Sequence, residues 1–478
     1  MKDPDLAHIF RNAFPNTLDT TVRWHVDGVN TFAPKSKLVR DKDKWQGAQS
    51  FIVTGDINAE WLRDSTNQLA QYQTLAKTAS EISNLILGAI NTQAEYVIES
   101  PYCNAFQAPG PSKVKPVPSG QQDAVHPAYE PTKVFECKYE LDSLANFLSL
   151  GNQFYASTNS SAYLTKRWFH ALDTLQRVLD EQSIPTFDPL DGSFQGNKYT
   201  FRRQAWTGTE TLNLEGIGNP LADGTGLIRS AFRPSDDATI FGFFIPANAM
   251  MSVELDRTAS VLENAKIEET IKSELELLAL ASDLRDRAYG IRTGIYEHAV
   301  VTHPIFGKVF AFEVDGYGSH VIMDDANIPS LLALPLLGFV KATDEIYQNT
   351  RRMILSQKGN PYFLTGASFS GIGGPHIGLR NAWPMSALVQ AMTSDNVTEI
   401  MECVDRVKNV TLMGVVNESI DVERGGRGAG AYTRSWFAWA NSVFAQTILH
   451  IAETNPSLIF HDTAWAYKVG KGFVPAPP

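Results

Sequence analysis

Apolar residues recur at helical spacing from one end of the chain to the other, and this feature narrows the folds open to it. Leu62, Ser65, Leu69 and Tyr72 follow Trp61 at steps of three and four, as one face of a helix requires. The same spacing links Leu141, Leu144 and Leu148, then Leu164, Trp168, Leu172, Leu175 and Leu179. It returns at Ile267, Ile271, Leu275 and Leu278, at Met385, Leu388 and Met392, and at Trp436, Ala440, Phe444, Ile448 and Ile451. Between these stretches lie long Pro- and Gly-rich segments, 101–131, 192–234 and 366–375, and the pattern across 303–315 predicts a hairpin.

Loops of such length inside a compact domain are more often functional than they are tethers, and none has the biased composition of a linker. One domain over residues 1–478 is therefore expected, and 43% hydrophobic content is ample for its core. An α-solenoid would repeat every roughly 34–47 residues, and no such self-similarity is present. The predicted fold is all-α: a toroid of paired inner and outer helices with long loops and a few short β-hairpins, the loops building a pit at one end.

A net charge of -11 and a pI near 5.4 weigh against nucleic acid as partner, because phosphate recognition needs clustered Lys and Arg. No apolar run reaches the roughly 18 residues of a membrane span. Three cysteines are too few for a disulfide scaffold and match no zinc spacing, which leaves room for one bridge, Cys103 to Cys137. Sequons at Asn159, Asn396, Asn409 and Asn417 point to the secretory pathway, with any leader or anchor expected ahead of Met1.

The side chains that carry chemistry gather in loops and at helix starts. Trp61, Arg63 and Asp64 form the first group: an aromatic face for sugar C–H bonds beside charges suited to vicinal hydroxyls. Tyr139, Glu140 and Asp142 form the second. The third is Asp236 and Asp237 after Pro234, ahead of an apolar run at 240–251 that reads as a helix. A helix start favours ionised carboxylates, whereas a general acid must hold its proton; burial and a neighbouring carboxylate would have to raise one pKa. The fourth is Glu418, a lone carboxylate and a candidate base. Asp315, Tyr317, Asn327, His376, Trp383, Arg434 and Trp436 complete a set suited to a polyol. HExxH, EF-hand, P-loop and dinucleotide patterns are absent, so no metal or cofactor is predicted.

Taken together, several segments resemble glycoside hydrolase family 125, the metal-independent exo-α-1,6-mannosidases, and the opening segment with the Pro-rich loop from Tyr102 to Pro118 resembles its fungal members. The family segments are GDINAEWLRDS from Gly55, KYELDSL from Lys138, RPSDDA from Arg233, DGYGSHVIMDDANIPSLL from Asp315, GIGGPHIG from Gly371 and YTRSWFAWANS from Tyr432. The resemblance implies an (α/α)6 barrel acting as a monomer on a mannose-containing oligosaccharide or glycan. It also implies single displacement with inversion, Asp236 as general acid with Asp237 as the alternative, and Glu418 as base. It extends to sugar contacts at the matching positions named above. Ser435 stands where the family carries Pro, and the Gly-rich loop at 423–430 is longer, which leaves the outer subsites open. Another inverting α/α-barrel glycosidase, or a mannose-binding protein without turnover, are the competing readings.

Overall fold

Helices alternate along the chain between two concentric rings. The computed structural model describes residues 1–28, 44–267, 271–428, 430–461, 466–468 and 472–474. The inner ring consists of the helices Leu62–Leu69, Leu141–Thr158, Ile245–Asn264, Leu334–Leu337, Pro384–Met392 and Ala438–Thr454. The outer ring consists of Pro4–Ala13, Ser80–Glu99, Lys166–Gln182, Glu274–His298, Glu345–Ile354 and Val397–Val410. The last inner helix packs against the first, which closes the ring. Six inner and six outer helices make an (α/α)6 barrel.

The sequence distinguishes the rings by burial and by how their helices begin. Leu141–Thr158 is buried on nearly every side through its first three turns, whereas Lys166–Gln182 alternates buried Trp168, Leu172, Leu175 and Leu179 with exposed polar residues. That is the contrast expected between a helix surrounded by others and one facing water. Asp3, Thr165, Ser273, Asp344 and Asn396 cap outer helices with their side chains. The inner helices start after Trp61, Glu140, Phe244, Ala333, Trp383 and Phe437, none of which makes a side-chain cap. Their first-turn amides are left for other partners.

Buried hydrophobic side chains from Leu6 to Ile459 form one continuous cluster. A second, smaller cluster holds Ala59, Trp61 and Ala105; part of the 1–478 range lies outside the described residues. Strands are short and occur in sheets of two or three. One three-stranded sheet, Glu60–Trp61 with Ala105–Phe106 with Val134–Glu136, brings distant segments to the start of the first inner helix.

Three local expectations change. The hairpin lies at Val300–His303 with Gly307–Phe310, and Asp315 falls beyond it. Ile267 and Ile271 belong to the connection between Ile245–Asn264 and Glu274–His298, and the latter buries Leu277, Ala281 and Leu284 while Leu275 and Leu278 are exposed. The capping box of Ser273 with Glu276 starts that helix late and rotates its inward face. Lastly, the helix after Asp237 begins at Ile245, so neither Asp236 nor Asp237 sits at a helix start.

Trp168 ties the rings together, with ring centroids 6.1 Å from Phe147 of the inner helix, and 5.4 Å from Tyr163. Trp168→Ala is expected to cost about 3–5 kcal/mol, read as a lower denaturant midpoint. An unchanged midpoint would mean that this contact does not hold the rings together.

Candidate active site

The uncapped starts of three inner helices, at Leu62, Pro384 and Ala438, meet at one end of the barrel. There a pit of about 440 Å³ opens, lined in part by Trp61, Arg63, Asp64, Asp236, Asn327, His376, Trp383, Glu418 and Arg434.

Arg63 forms the floor. Its guanidinium is buried and lies 5.6 Å from the Trp439 ring centroid. Nη1 donates to Glu140 Oε2 at 2.5 Å and Asp142 Oδ2 at 3.2 Å, while Nη2 lies 3.7 Å from Asp236 Oδ1 and Nε 3.6 Å from Asp64 Oδ2. Glu140 and Asp142, two apart in sequence, thus serve the same cation. Asn104 adds a second link, its Nδ2 donating to Glu140 Oε1 at 3.1 Å and Asp236 Oδ1 at 3.2 Å. Its Oδ1 accepts from the Lys138 amide at 3.0 Å. Asn104 and Lys138 are adjacent to Cys103 and Cys137, which form a disulfide.

This crowding separates the carboxylates. Burial pushes Glu140 well above the usual range, and the charges of Asp142 and Asp236 add to it. Burial pushes Asp236 the same way, but Lys138, Arg63 and His376 outweigh it and hold this carboxyl below its ordinary value. The two carboxyls meet through the Asn104 amide, and their opposite shifts mean that Glu140 takes up a proton before Asp236 does. Burial raises Asp64 to about 7, with Asp236 and Glu418 adding to the rise.

Residues 233–238 make a tight loop in which the Asp236 amide donates to the Arg233 carbonyl at 2.9 Å, and the Arg233 amide to the Asp237 carbonyl at 2.8 Å. Closing it puts Asp236 at φ 66°, the left-handed region that Asp tolerates better than most residues. The two neighbouring acids consequently face different surroundings. Asp236 lines the pit, whereas Asp237 is buried behind it, its Oδ2 accepting from Ser235 at 3.3 Å and its Oδ1 3.8 Å from His376 Nδ1.

Glu418 occupies another part of the wall. Its Oε1 lies 3.2 Å from Arg434 Nε, its Oε2 accepts from Thr433 Oγ1 at 2.6 Å, and Arg434 also pairs with Asp56. Pairing of Asn381–Ala382 with Ile420–Asp421 sets Glu418 near Trp383.

Several expected sugar contacts lie elsewhere. Tyr139 is buried beneath the site, and Glu140 and Asp142 stand behind Arg63. Asp315 accepts from the amides of Tyr317 and Ser319, a local turn that leaves Tyr317 projecting into solvent. Trp436 packs across Gly55, where a Cβ would come within 3.0 Å of its ring. Glycine there, at φ 137°, provides both the backbone freedom and the room. None of these six lines the pit. Asn417 is buried with its amide bonded to the Arg434 and Ser435 carbonyls, which removes it from the accessible sequons. Asn104 and Thr433 had no signal of their own: each matters through a partner far away in sequence.

The sequence profile of the metal-independent α-mannosidases, GH125, matches residues 3–449. The chain belongs to this family. The mannosidase is 50% identical over 460 residues to the meiotically up-regulated gene 157 protein of Schizosaccharomyces pombe, covering 96% of this chain and 84% of that one. It is 30% identical to a Streptococcus pneumoniae metal-independent α-mannosidase solved in a non-productive complex with α-1,6-mannobiose, with a TM-score of 0.79 and 95% of each chain covered. The mannosidase is therefore a metal-independent glycoside hydrolase.

Burial pulls the His376 imidazole down, but Asp237, Asp236 and Glu418 together raise it to about 9. A raised value means that the Asp237 contact contributes in full below pH 6.5 and fades as pH rises through about 9. NMR titration of the mannosidase should place His376 near that value, and Asp237→Asn should bring it back toward 6.5. If the substitution left it unmoved, Asp237 would not be the cause.

Proposed function

We propose that this mannosidase removes terminal α-1,6-linked mannose from the non-reducing ends of mannose-rich glycans with inversion, Asp236 acting as general acid and Glu418 as general base. The observation that carries this reading is that two carboxylates with separate sets of partners face one pit. Arg63 and Asn104 hold Asp236, while Arg434 and Thr433 hold Glu418. A pit whose lining includes the buried side chains of Arg63 and Trp439 fits exo action on a chain end. The complex of the Streptococcus pneumoniae relative with α-1,6-mannobiose supports the linkage.

In the reaction, Asp236 gives its proton to the glycosidic oxygen as the bond to the anomeric carbon breaks. Glu418 takes a proton from the water that attacks the opposite face. Asp236 ends ionised and Glu418 ends protonated. Glu140 accounts for how an acid held low in the open pit becomes competent. Bound sugar strips water from Asp236 and raises its pKa, and the nearby Glu140 carboxyl, linked to it through Asn104, raises it further wherever Glu140 is ionised. His376 and Arg434 supply positive charge on the rest of the wall.

The buried Cys103–Cys137 bridge and the exposed sequons at Asn159, Asn396 and Asn409 support a place in the secretory pathway.

An NMR time course on α-1,6-mannobiose with a chelator present should show β-mannose first; α-mannose first would overturn inversion. Asp236→Asn should lose about 10²–10⁴ in kcat on this substrate, yet recover on an aryl mannoside whose acidic phenol leaves without protonation. Glu418→Gln should fail on both. If Asp237→Asn behaved as expected for Asp236→Asn, the acid would be reassigned. Glu140→Gln removes a like charge from beside Asp236, so Asp236 ionises more readily and the alkaline limb of kcat/KM should move to lower pH. An unmoved limb would remove Glu140 from the proton account.

A further inference from the structure

The loop carrying Asp236 is braced from outside by the segment 203–211. The Ala238 amide donates to the Thr209 carbonyl at 2.7 Å. Six residues earlier, Arg203 forks onto Asp123 at 2.7 and 2.8 Å and donates to Glu136 Oε1 at 2.7 Å. That same Glu136 oxygen lies 3.5 Å from Lys138 Nζ, the group that helps hold Asp236 ionised. Both ends of 203–209 are thus pinned beside the surroundings of Asp236.

Trp206 stands midway between those pins and is fully exposed. Every other described tryptophan is buried or half-buried. Trp206 makes no hydrogen bond or ring contact among the described residues. Three residues span at most about 11 Å, so the indole cannot stray far from Thr209 or Arg203. A large apolar ring held in water beside a polar pit suits a ligand with alternating apolar and hydroxyl faces.

The direction of the substrate supplies that ligand. A general acid protonates the glycosidic oxygen, so the departing part of the glycan lies on the acid's side, opposite the base. The pit, about 440 Å³ and lined in part by Arg63 and Trp439, takes the chain end. The sugars beyond the scissile bond leave past Asp236, whose loop Thr209 holds through Ala238.

We propose that Trp206 is an outer-subsite platform that stacks on a hexopyranose ring of the leaving glycan, beyond the scissile linkage, and sets the preference for long substrates over disaccharides. The inference rests on the assignment of Asp236 as acid and on a mannose-rich glycan as substrate. Trp206 is fully exposed, so replacing it leaves the core untouched.

The test compares the protein with its Trp206→Ala and Trp206→Phe variants on α-1,6-mannobiose and on a mannose-rich oligosaccharide with the same terminal linkage. Trp206→Ala should raise KM on the oligosaccharide about tenfold, the equivalent of one stacking contact of about 1.4 kcal/mol. Mannobiose turnover should stay unchanged, and Trp206→Phe should restore much of the loss. Equal losses on both substrates, or no loss on either, would overturn the platform. If the parent protein cleaves neither substrate, the linkage reading has failed. Calorimetric binding of the oligosaccharide then still reads Trp206: weaker binding by Trp206→Ala supports the platform, and equal binding overturns it.

Discussion

A guanidinium buried at one end of a barrel needs its charge compensated on the spot, and Arg63 gathers most of the pit around that need. Its partners come from its own helix start, from residues 140–142 and from the loop at 236. The cation therefore stitches three separate segments into one floor. Burial, not the cation, divides the acids: it raises Glu140 and Asp142 in spite of Arg63, while at Asp236 the added charges of Lys138 and His376 outweigh it. One buried charge thus sets the shape of the site.

Supports behind the floor follow from the same constraint. Asn104 can hold Glu140 and Asp236 together because the short sheet and the disulfide bring residues 103–104 against 137–138. The inner helices leave their first amides uncapped where these acids converge, and positive helix ends favour negative charge. Capping is instead spent on the outer ring, whose helices begin away from the pit. That division explains why Asp, Ser, Thr or Asn precedes the outer helices other than Ser80–Glu99, while bulky residues precede most inner ones.

Much of the architecture was legible in advance because helical periodicity is local. The stripe at 164–179 and the run at 436–451 report burial on one helix face, and a residue's neighbours three and four positions away suffice to read it. The boundary near Ile271 was not, since a capping box at Ser273 overrode an apolar spacing that continued across it. Trp61, Arg63, Asp64, Asn327, His376, Trp383 and Arg434 could be singled out from their motifs, and they do meet at the pit. Tyr317 and Asp315 sit in an equally suggestive motif but close a local turn.

By itself the sequence determined the ring of paired helices, the membership of the family and the short list of acids, since each is written in local spacing or contiguous motifs. Only the tertiary structure decided which acid of the pair at 236 and 237 faces the pit, that Glu140 and Asp142 serve Arg63 from behind, and that Asn104 and Thr433 take part at all. The reason is physical. A backbone turn at φ 66° and contacts across 132, 77 and 15 residues depend on how distant segments are brought together, and no local pattern records that.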